Sequence, residues 1–253
     1  MIKFFRKIRQ KLLSENKFSK YLLYAIGEIV LVVIGILIAL WINNKNIQNQ
    51  NKEKERLGLT EIRDNLISDT LQLDNNLKRF KNRQELIMKT MTLLSKNEYN
   101  AKDKDSLFFH FISAELYQNA IFKSNSVGFT NMVSSGNIDL LSNNELRKEL
   151  SEYYLIENDD IGSYDYTMTI SRNFQNYIAP LLTNNWSAKI FFGIDTPLEK
   201  EFDVTQLQSA QTFSYLTQLF VTINTSTEAS MELKNDIITL IKMTNKELDS
   251  FEK

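Results

Sequence analysis

One uninterrupted apolar segment near the N-terminus limits what the rest of this chain can fold into. Residues 21–42 have the sequence YLLYAIGEIVLVVIGILIALWI, in which Glu28 is the only charged residue. A helix of this length rises roughly 33 Å, which is enough to cross a hydrocarbon core of about 30 Å. A single strand would leave its backbone groups unpaired in lipid. The segment is therefore predicted to be a transmembrane helix.

A cleaved signal peptide is the competing interpretation of this segment. The apolar part of a signal peptide is about 7–15 residues long and ends at a cleavage site of small residues. Here the run is longer and ends in Ala39-Leu40-Trp41, where the bulky Trp41 occupies a position that needs a small residue. An uncleaved signal anchor is therefore the favoured interpretation.

Basic residues are concentrated before this segment. Residues 1–20 contain seven Lys or Arg and one acidic residue, whereas the sequence after the span has an excess of acidic residues. By the positive-inside rule, we expect the N-terminus in the cytoplasm and residues 43–253 across the membrane. The leader is predicted to be an amphipathic basic helix on the lipid surface, although a solvated basic tail would have the same composition. The residues expected to contact membrane lipid are Lys3, Arg6, Lys7, Arg9 and Lys11.

Glu28 shares one face of the predicted transmembrane helix with small residues. At about 100° per residue, Glu28, Gly35 and Ala39 fall in a narrow stripe, with Tyr24 beside it. Gly35 and Ala39 form a small-xxx-small pair, which lets a second helix approach closely. An ionisable side chain this deep in a bilayer is costly and normally faces protein. The stripe is therefore predicted to contact a helix of a second copy or of another membrane protein.

Three roles for Glu28 remain open from the sequence. Its carboxyl is protonated and hydrogen-bonded across the helix contact, or it pairs with a cation of another subunit, or it carries protons. For the proton-carrying role, the only parallel is in the order of segments along the chain. Single-span subunits of ion-driven stators also combine a short basic leader, an acidic span and a large exported domain.

The sequence after the span is predicted to form an all-α domain. The chain has only seven Gly and two Pro, which favours long helices with few turns. Apolar residues recur every three or four positions from Leu59 to Leu94 and predict a stalk helix over residues 43–96. Its apolar seam would form either a coiled coil between copies or the core face of a bundle. Further helices are predicted over residues 105–182 and 205–252, giving a bundle of four or five helices.

Local signals predict the ends of these later helices. Asp105 is expected to cap a helix that continues through Phe122. Ser142 begins a capping-box pattern for a helix expected to continue to Pro180, whose ring would stop it. A polar run at Asn224–Ser226 predicts a break in the final helix.

Residues 183–204 have the least helical sequence of the domain and are predicted to form an ordered, aromatic-rich loop. Its main aromatic side chains are Trp186, Phe191 and Phe192. Both a binding surface and cover for the core are consistent with them, and core cover is the usual role of large aromatic side chains.

The sequence offers little for catalysis or metal binding. The chain has no cysteine and a single histidine, His110, which excludes thiolate sites and two-histidine metal sites. His110 lies in the apolar run FFHF, where a packed side chain is expected. The acidic residues Glu157, Asp159, Asp160 and Asp165 lack the glycine turn of a calcium loop and are expected on a solvated face. We therefore expect no enzyme, no cofactor and no bound metal, and the acidic excess argues against nucleic-acid binding.

Two blocks of the sequence resemble a family of uncharacterised membrane-anchored proteins from Gram-negative bacteria. The first, YAIGEIVLVVIGILIALWINN at residues 24–44, fits the family's pattern GEIxLVxxGILIALxINN after a short basic leader. The second, FTNMVSSGNIDLLSNNELRKELSEYY at residues 129–154, resembles a block in which a serine–glycine turn precedes an N-E-L-R helix ending in paired tyrosines. The resemblance implies an inner-membrane anchor, a periplasmic helical domain and no catalytic residue.

Together these observations predict a non-enzymatic protein of the inner membrane with a cytoplasmic N-terminus and a periplasmic helical domain. We expect it to act as a scaffold, sensor or accessory subunit, through helix–helix association at Tyr24, Glu28, Gly35 and Ala39. One alternative is a subunit of an ion-driven machine with Glu28 as the proton-carrying group. Another is a periplasmic bundle that senses a ligand between its helices.

Overall fold

The structure, a computed structural model, describes residues 18–155, 164–199 and 203–251. Every regular element in these residues is helical, which confirms the predicted all-α class. The chain divides into two compact units, residues 1–55 and residues 56–253. The elements in chain order are α1 (Phe18–Leu94), α2 (Ala101–Ile112), α3 (Ala114–Tyr117), α4 (Val127–Ser134), a 3-10 turn (Asn137–Leu140), α5 (Asn144–Leu155), α6 (Tyr164–Leu182), α7 (Asn185–Phe192), α8 (Val204–Leu207) and α9 (Ala210–Leu248).

The first unit contains the N-terminal part of α1, including the apolar segment. The large apolar side chains between Leu22 and Ile42 are exposed. By length and composition, this is the one helix in the described ranges that is able to cross a membrane. Apolar residues surround it on all sides, whereas a helix at the surface of a soluble core presents one apolar stripe.

The second unit is built around two hydrophobic clusters. One cluster joins Leu59–Leu73 of α1 to α4, α5 and the later part of α9. The other joins Phe80–Leu94 of α1 to α2, α3, α6, α8 and the earlier part of α9. The seam of α1 is thus filled by helices of the same chain. Six of its buried residues lie seven positions apart and are called the apolar column: Leu59, Leu66, Leu73, Phe80, Ile87 and Leu94.

A second column on α1 has the same seven-residue spacing but is polar. Its members are all buried and are called the polar column: Asp69, Asn76, Arg83 and Thr90. The first three bind the chain around residues 118–126, a segment between α3 and α4 that has no helix or strand and is called the strap. Polar side chains on a core face are costly unless they are hydrogen-bonded, so their partners decide whether this arrangement is stable.

The strap runs antiparallel to α1, and its backbone is bound by α1 side chains. Asp69 accepts a hydrogen bond from the Asn125 N–H at 2.8 Å, and Asn76 donates to the Ile121 carbonyl at 3.0 Å. Between them, the Gln72 side chain accepts a hydrogen bond from the Lys123 N–H at 2.7 Å and donates one to the Lys123 carbonyl at 3.3 Å. These side chains supply the partners that a helix or sheet would otherwise give to the strap's backbone.

Arg83 joins three parts of the fold at one buried point. It is 1% exposed. Its Nε donates to the Leu116 carbonyl at 2.9 Å, Nη1 to the Gln118 carbonyl at 3.3 Å and Nη2 to the Ser171 hydroxyl at 3.0 Å. Burial lowers the pKa of the Arg83 guanidinium to about 10, so it remains charged at neutral pH. None of the ion pairs among the described residues includes Arg83. Arg83 therefore binds neutral oxygens of α3, the strap and α6.

The second helix differs from the prediction at both ends. A capping box of Asn100 and Asp103 starts α2 at Ala101, earlier than the predicted cap at Asp105. The helix ends before Ser113, whose backbone is extended. The predicted continuation through Phe122 holds only in part: the chain is helical again at Ala114–Tyr117, but from residue 118 it is the extended strap, whose backbone is bound by α1 side chains.

Helices α5 and α6 also differ from the prediction. The side chain of Asn143, one residue after the predicted cap Ser142, accepts from the Leu146 N–H at 3.0 Å. The predicted continuation from α5 into α6 crosses residues 156–163, which lie outside the described residues. Pro180 does not stop α6 but lies in its last turn, where one missing N–H disturbs little of the remaining helix.

The predicted loop at 183–204 contains α7. A capping box of Asn184 and Ser187 starts this helix, and Gly193 ends it in the left-handed conformation, with φ of 68°. The predicted break in the last helix is also wrong, because α9 is continuous through it. The hydroxyls of Thr225 and Thr227 bond to carbonyls four residues earlier, which satisfies these polar residues inside the helix.

Candidate functional site

The predicted membrane face lies on α1 in the first unit. Glu28, Gly35 and Ala39 are exposed, and a Cβ added at Gly35 would meet no atom within 4 Å. The face is therefore open in a single chain, with room for a second helix. Of Tyr24, only the helical backbone is described. The predicted lipid-binding residues of the leader lie outside the described residues: Lys3, Arg6, Lys7, Arg9 and Lys11.

A pocket of about 470 Å³ opens between α2, α6 and α7 in the second unit. This volume is within the range of roughly 300–1,000 Å³ that is typical of small-molecule sites. Its wall is predominantly apolar and is lined by residues that include Phe108, Phe111, Ile178, Leu182, Phe191 and Phe192.

The structure separates the three aromatic residues that the sequence singled out. Trp186 is half-buried and packs edge-on against Phe108, with ring centroids 4.5 Å apart. Phe191 and Phe192 line the pocket and are 54% and 74% exposed. Trp186 thus contributes to core cover, whereas the two phenylalanines form the mouth of the pocket.

The polar groups in the pocket wall are engaged within the fold. Asn184 and Ser187 bond each other through side chain and backbone, at 2.8 and 3.0 Å. The Thr183 hydroxyl donates to a carbonyl of the preceding turn at 2.8 Å. The buried Tyr117 hydroxyl donates to the Phe111 carbonyl at 2.7 Å, and burial raises the pKa of Tyr117 above its usual range. No Asp, Glu, Lys, Arg or His is among the described residues that line the pocket.

His110 has a hydroxyl rather than a carboxylate beside its ring. Its Nδ1 lies 3.0 Å from the Thr90 hydroxyl, at the end of the polar column. Burial, with a smaller effect of Lys89, lowers the pKa of His110 below its usual 6.5. The imidazole is therefore neutral at pH 7 and serves the contact between α1 and α2.

The acidic run forms no metal site in the part of the chain that the structure describes. Asp165 is exposed in the first turn of α6. Within the described ranges, no group of three or more His, Cys, Asp or Glu side chains is placed to hold a metal ion. The other members of the run lie outside these ranges: Glu157, Asp159 and Asp160.

Asp69 is the buried carboxyl of the polar column, and its partners are not predictable from the sequence pattern. Its Oδ2 accepts from the Tyr153 hydroxyl at 2.8 Å, in addition to the bond from the Asn125 N–H. Burial raises the pKa of Asp69 above its usual 3.8, and the two hydrogen bonds oppose this effect. Among the described residues, the buried hydroxyl of the adjacent Tyr154 has no hydrogen-bond partner. The two hydrogen bonds to Asp69 therefore compensate only in part for the burial of its carboxyl.

Replacing Asp69 with asparagine is expected to remove a pH-dependent component of stability. The raised folded-state pKa means that the native protein binds more protons than the unfolded chain as the pH rises above about 4. Wild-type stability therefore falls through this interval, whereas asparagine keeps the bond from Asn125 and has no charge to bury. Unfolding midpoints from circular dichroism should favour the variant increasingly as the pH rises above about 4. A difference that does not change with pH would contradict this, and Asp64→Asn is the exposed control on α1.

Most of the features described above lie in a part of the chain that matches a known protein family. Residues 28–173 match the profile of a family described as a family of unknown function (DUF6090). The range begins at Glu28 in the apolar segment and includes the polar column, the strap and part of α6. No curated protein and no solved structure matches the chain.

Proposed function

Because the chain belongs to DUF6090, a family of unknown function, we propose its function from its own geometry: a membrane-anchored, non-enzymatic protein that associates through its transmembrane helix. In this proposal the N-terminus is cytoplasmic, and residues 43–253 form a periplasmic scaffold at the inner membrane. The partner is a second copy of the chain or another membrane protein.

The exposure of the apolar segment on every side of α1 carries this proposal. The large apolar side chains described between Leu22 and Ile42 are all exposed. An apolar surface of this extent would promote aggregation in water. In the hydrocarbon core of a bilayer the same surface is stable without protein packed against it. The seven basic residues before the span support a cytoplasmic N-terminus.

Association through Glu28, Gly35 and Ala39 follows from the cost of the carboxyl. A charged side chain near the centre of a bilayer costs on the order of 2.5–3.5 kcal/mol on insertion scales. A second helix against this face would shield Glu28 from lipid, and the absence of a side chain at Gly35 permits the close approach. The carboxyl of Glu28 thus favours burial of this face against a second helix, and the small residues allow that helix to approach closely.

A scaffold role for the second unit is supported by how its buried polar groups are used. The side chains of Asp69, Asn76 and Arg83 bind the backbone or hydroxyls of neighbouring segments. They hold the strap and α6 in place. A catalytic group would instead face a cavity that admits substrate.

Leucine at position 35 should weaken association, and leucine at position 27 is the matched control. Gly35→Leu fills the small-residue face, whereas Gly27→Leu adds the same side chain at a position about 80° from Gly35 around the helix. Neither position has an atom of the chain within 4 Å of an added Cβ, so neither change disturbs the isolated chain. We expect Gly35→Leu to reduce crosslinked or co-purified assemblies at least about fivefold, a loss of roughly 1 kcal/mol. Equal effects of the two variants would contradict the proposed face.

Two substitutions of Glu28 distinguish packing from proton transfer. Glu28→Leu should reduce assembly, whereas Glu28→Gln keeps a polar side chain and should preserve it. If Glu28→Gln preserves assembly but abolishes the physiological activity, the ion-driven alternative replaces the scaffold proposal.

A further inference from the structure

The pocket between α2, α6 and α7 has no part in the association proposed above. We propose that it binds the hydrocarbon chain of a single lipid-like molecule. The binding chemistry rests only on the second unit, whereas supply of the ligand from a bilayer rests on the proposed membrane anchor.

The size and shape of the pocket suit one flexible chain. It holds about 470 Å³, enough for a small-molecule ligand and too little for a folded element such as a helix. Phe108 and Phe111 from α2 and Ile178 and Leu182 from α6 all line the pocket, so both helices contribute apolar side chains to its wall. Transfer of a hydrocarbon chain from water to such a wall is favourable by about 0.8 kcal/mol for each buried CH₂ group.

Hydrogen-bond accounting favours a hydrocarbon chain over a peptide segment. A peptide brings N–H and carbonyl groups, and each one buried without a partner costs on the order of 1–3 kcal/mol. The wall has few polar atoms to offer, because Tyr117, Thr183, Asn184 and Ser187 already bond within the fold. Only Gln175, which is exposed, remains as a polar side chain of the lining. A hydrocarbon chain requires no partner at all.

The charge of the lining sets which end of an amphiphile enters. No charged residue is among the described residues of the wall, so an anionic or cationic head group would find no counter-ion inside. The tail therefore enters and the head group stays in solvent, near Gln175. Phe191 and Phe192 at the mouth are exposed and would lie against the part of the hydrocarbon chain that leaves the pocket.

Trp186 provides a direct reporter of pocket occupancy. The protein has two tryptophans, Trp41 and Trp186, so Trp41→Phe leaves a single emitter. Trp186 packs on the wall residue Phe108, so a heavy atom carried into the pocket would lie close to the indole. The probe is dodecanol brominated at its terminal carbon, added to the full-length Trp41→Phe protein in lipid nanodiscs. We expect saturable quenching of Trp186 emission, reversed by excess unbrominated dodecanol.

Side chains that fill the pocket should weaken binding of the brominated alcohol and therefore its quenching of Trp186. Ala179→Phe and Ala188→Phe each add a ring at a lining position, and each should raise the half-saturating alcohol concentration at least about tenfold. Ala210→Phe makes the same change at an exposed position outside the lining and should leave it unaltered.

Three results would overturn the proposal. Unsaturable quenching that is equal in all variants would show that the alcohol reaches Trp186 through the bilayer alone. No quenching in the Trp41→Phe parent would show that the pocket excludes the chain. Emission that shifts with protein concentration before alcohol is added, and is insensitive to alcohol, would show a second copy seated in the pocket. Quenching in the Trp41→Phe protein itself decides whether the alcohol binds. The test therefore remains valid if a pocket-filling variant misfolds.

Discussion

Replacement of Arg83 by leucine is expected to lower the free energy of unfolding by about 3 kcal/mol. The buried Leu116 carbonyl and the buried Ser171 hydroxyl would lose their donor, and each such loss costs on the order of 1–3 kcal/mol. Removing the buried charge offsets part of this cost, because leucine needs no solvation. In thermal unfolding followed by circular dichroism, the midpoint should fall by roughly 6–12 °C.

The control for this variant is Arg79→Leu, one turn earlier on α1. Arg79 is exposed, so the same substitution there should change stability by no more than about 0.5 kcal/mol. Arg83→Lys should recover only part of the loss, because one ammonium cannot reach three oxygens that a planar guanidinium reaches together. Hydrogen exchange should also be faster at the strap amides of Arg83→Leu. If strap exchange is unchanged, Arg83 does not hold this segment.

The course of α1 in the second unit is largely predictable from the sequence, but its partners are not. The apolar column from Leu59 to Leu94 repeats at a helical period and lies on the core face, as amphipathic spacing predicts. Asp69, Asn76 and Arg83 have the same strict spacing, and this repeat was the available sign of a second buried column. Spacing cannot say what a polar side chain binds. The partner here is an extended segment that local sequence favours as helix, and tertiary hydrogen bonds override that preference.

The two candidate sites differ in how far the sequence predicts them. The apolar span and the small-residue face are recognised from composition and period alone, because crossing a bilayer needs about 20 apolar residues and close packing of helices needs small residues on one face. The pocket depends on α7, whose ends carry recognisable local signals in Asn184, Ser187 and Gly193. Those signals predict a short helix at most. The cavity arises only when that helix packs against α2 and α6, and its volume is set by side chains distant in sequence.

Tyr153 and Tyr154 are adjacent on α5, but loss of their hydroxyl groups should affect the free energy of unfolding differently. The Tyr153 hydroxyl donates to the carboxyl of Asp69 at 2.8 Å, so Tyr153→Phe leaves that buried group with one donor fewer. We expect a loss of about 2 kcal/mol, as is typical of a hydrogen bond to a charged group. The Tyr154 hydroxyl is buried without a partner in the part of the chain that the structure describes, and its ring stacks on Phe129 with centroids 4.9 Å apart. Tyr154→Phe keeps the ring and removes the unsatisfied oxygen, so stability should be unchanged or higher by up to about 1 kcal/mol.

A double-mutant cycle with Asp69 assigns the Tyr153 effect to its hydrogen bond. Both tyrosine variants preserve the ring and its packing, so a difference between them reflects the environment of the hydroxyl. In an Asp69→Asn background the group that faces the Tyr153 hydroxyl is a neutral amide instead of a carboxyl, and the cost of Tyr153→Phe should fall by at least about 0.5 kcal/mol. The small effect of Tyr154→Phe should be the same in both backgrounds, because the Tyr154 hydroxyl has no hydrogen bond to Asp69 or to any other described residue. If Tyr153→Phe costs as much beside asparagine as beside aspartate, the carboxyl is not what this tyrosine stabilises.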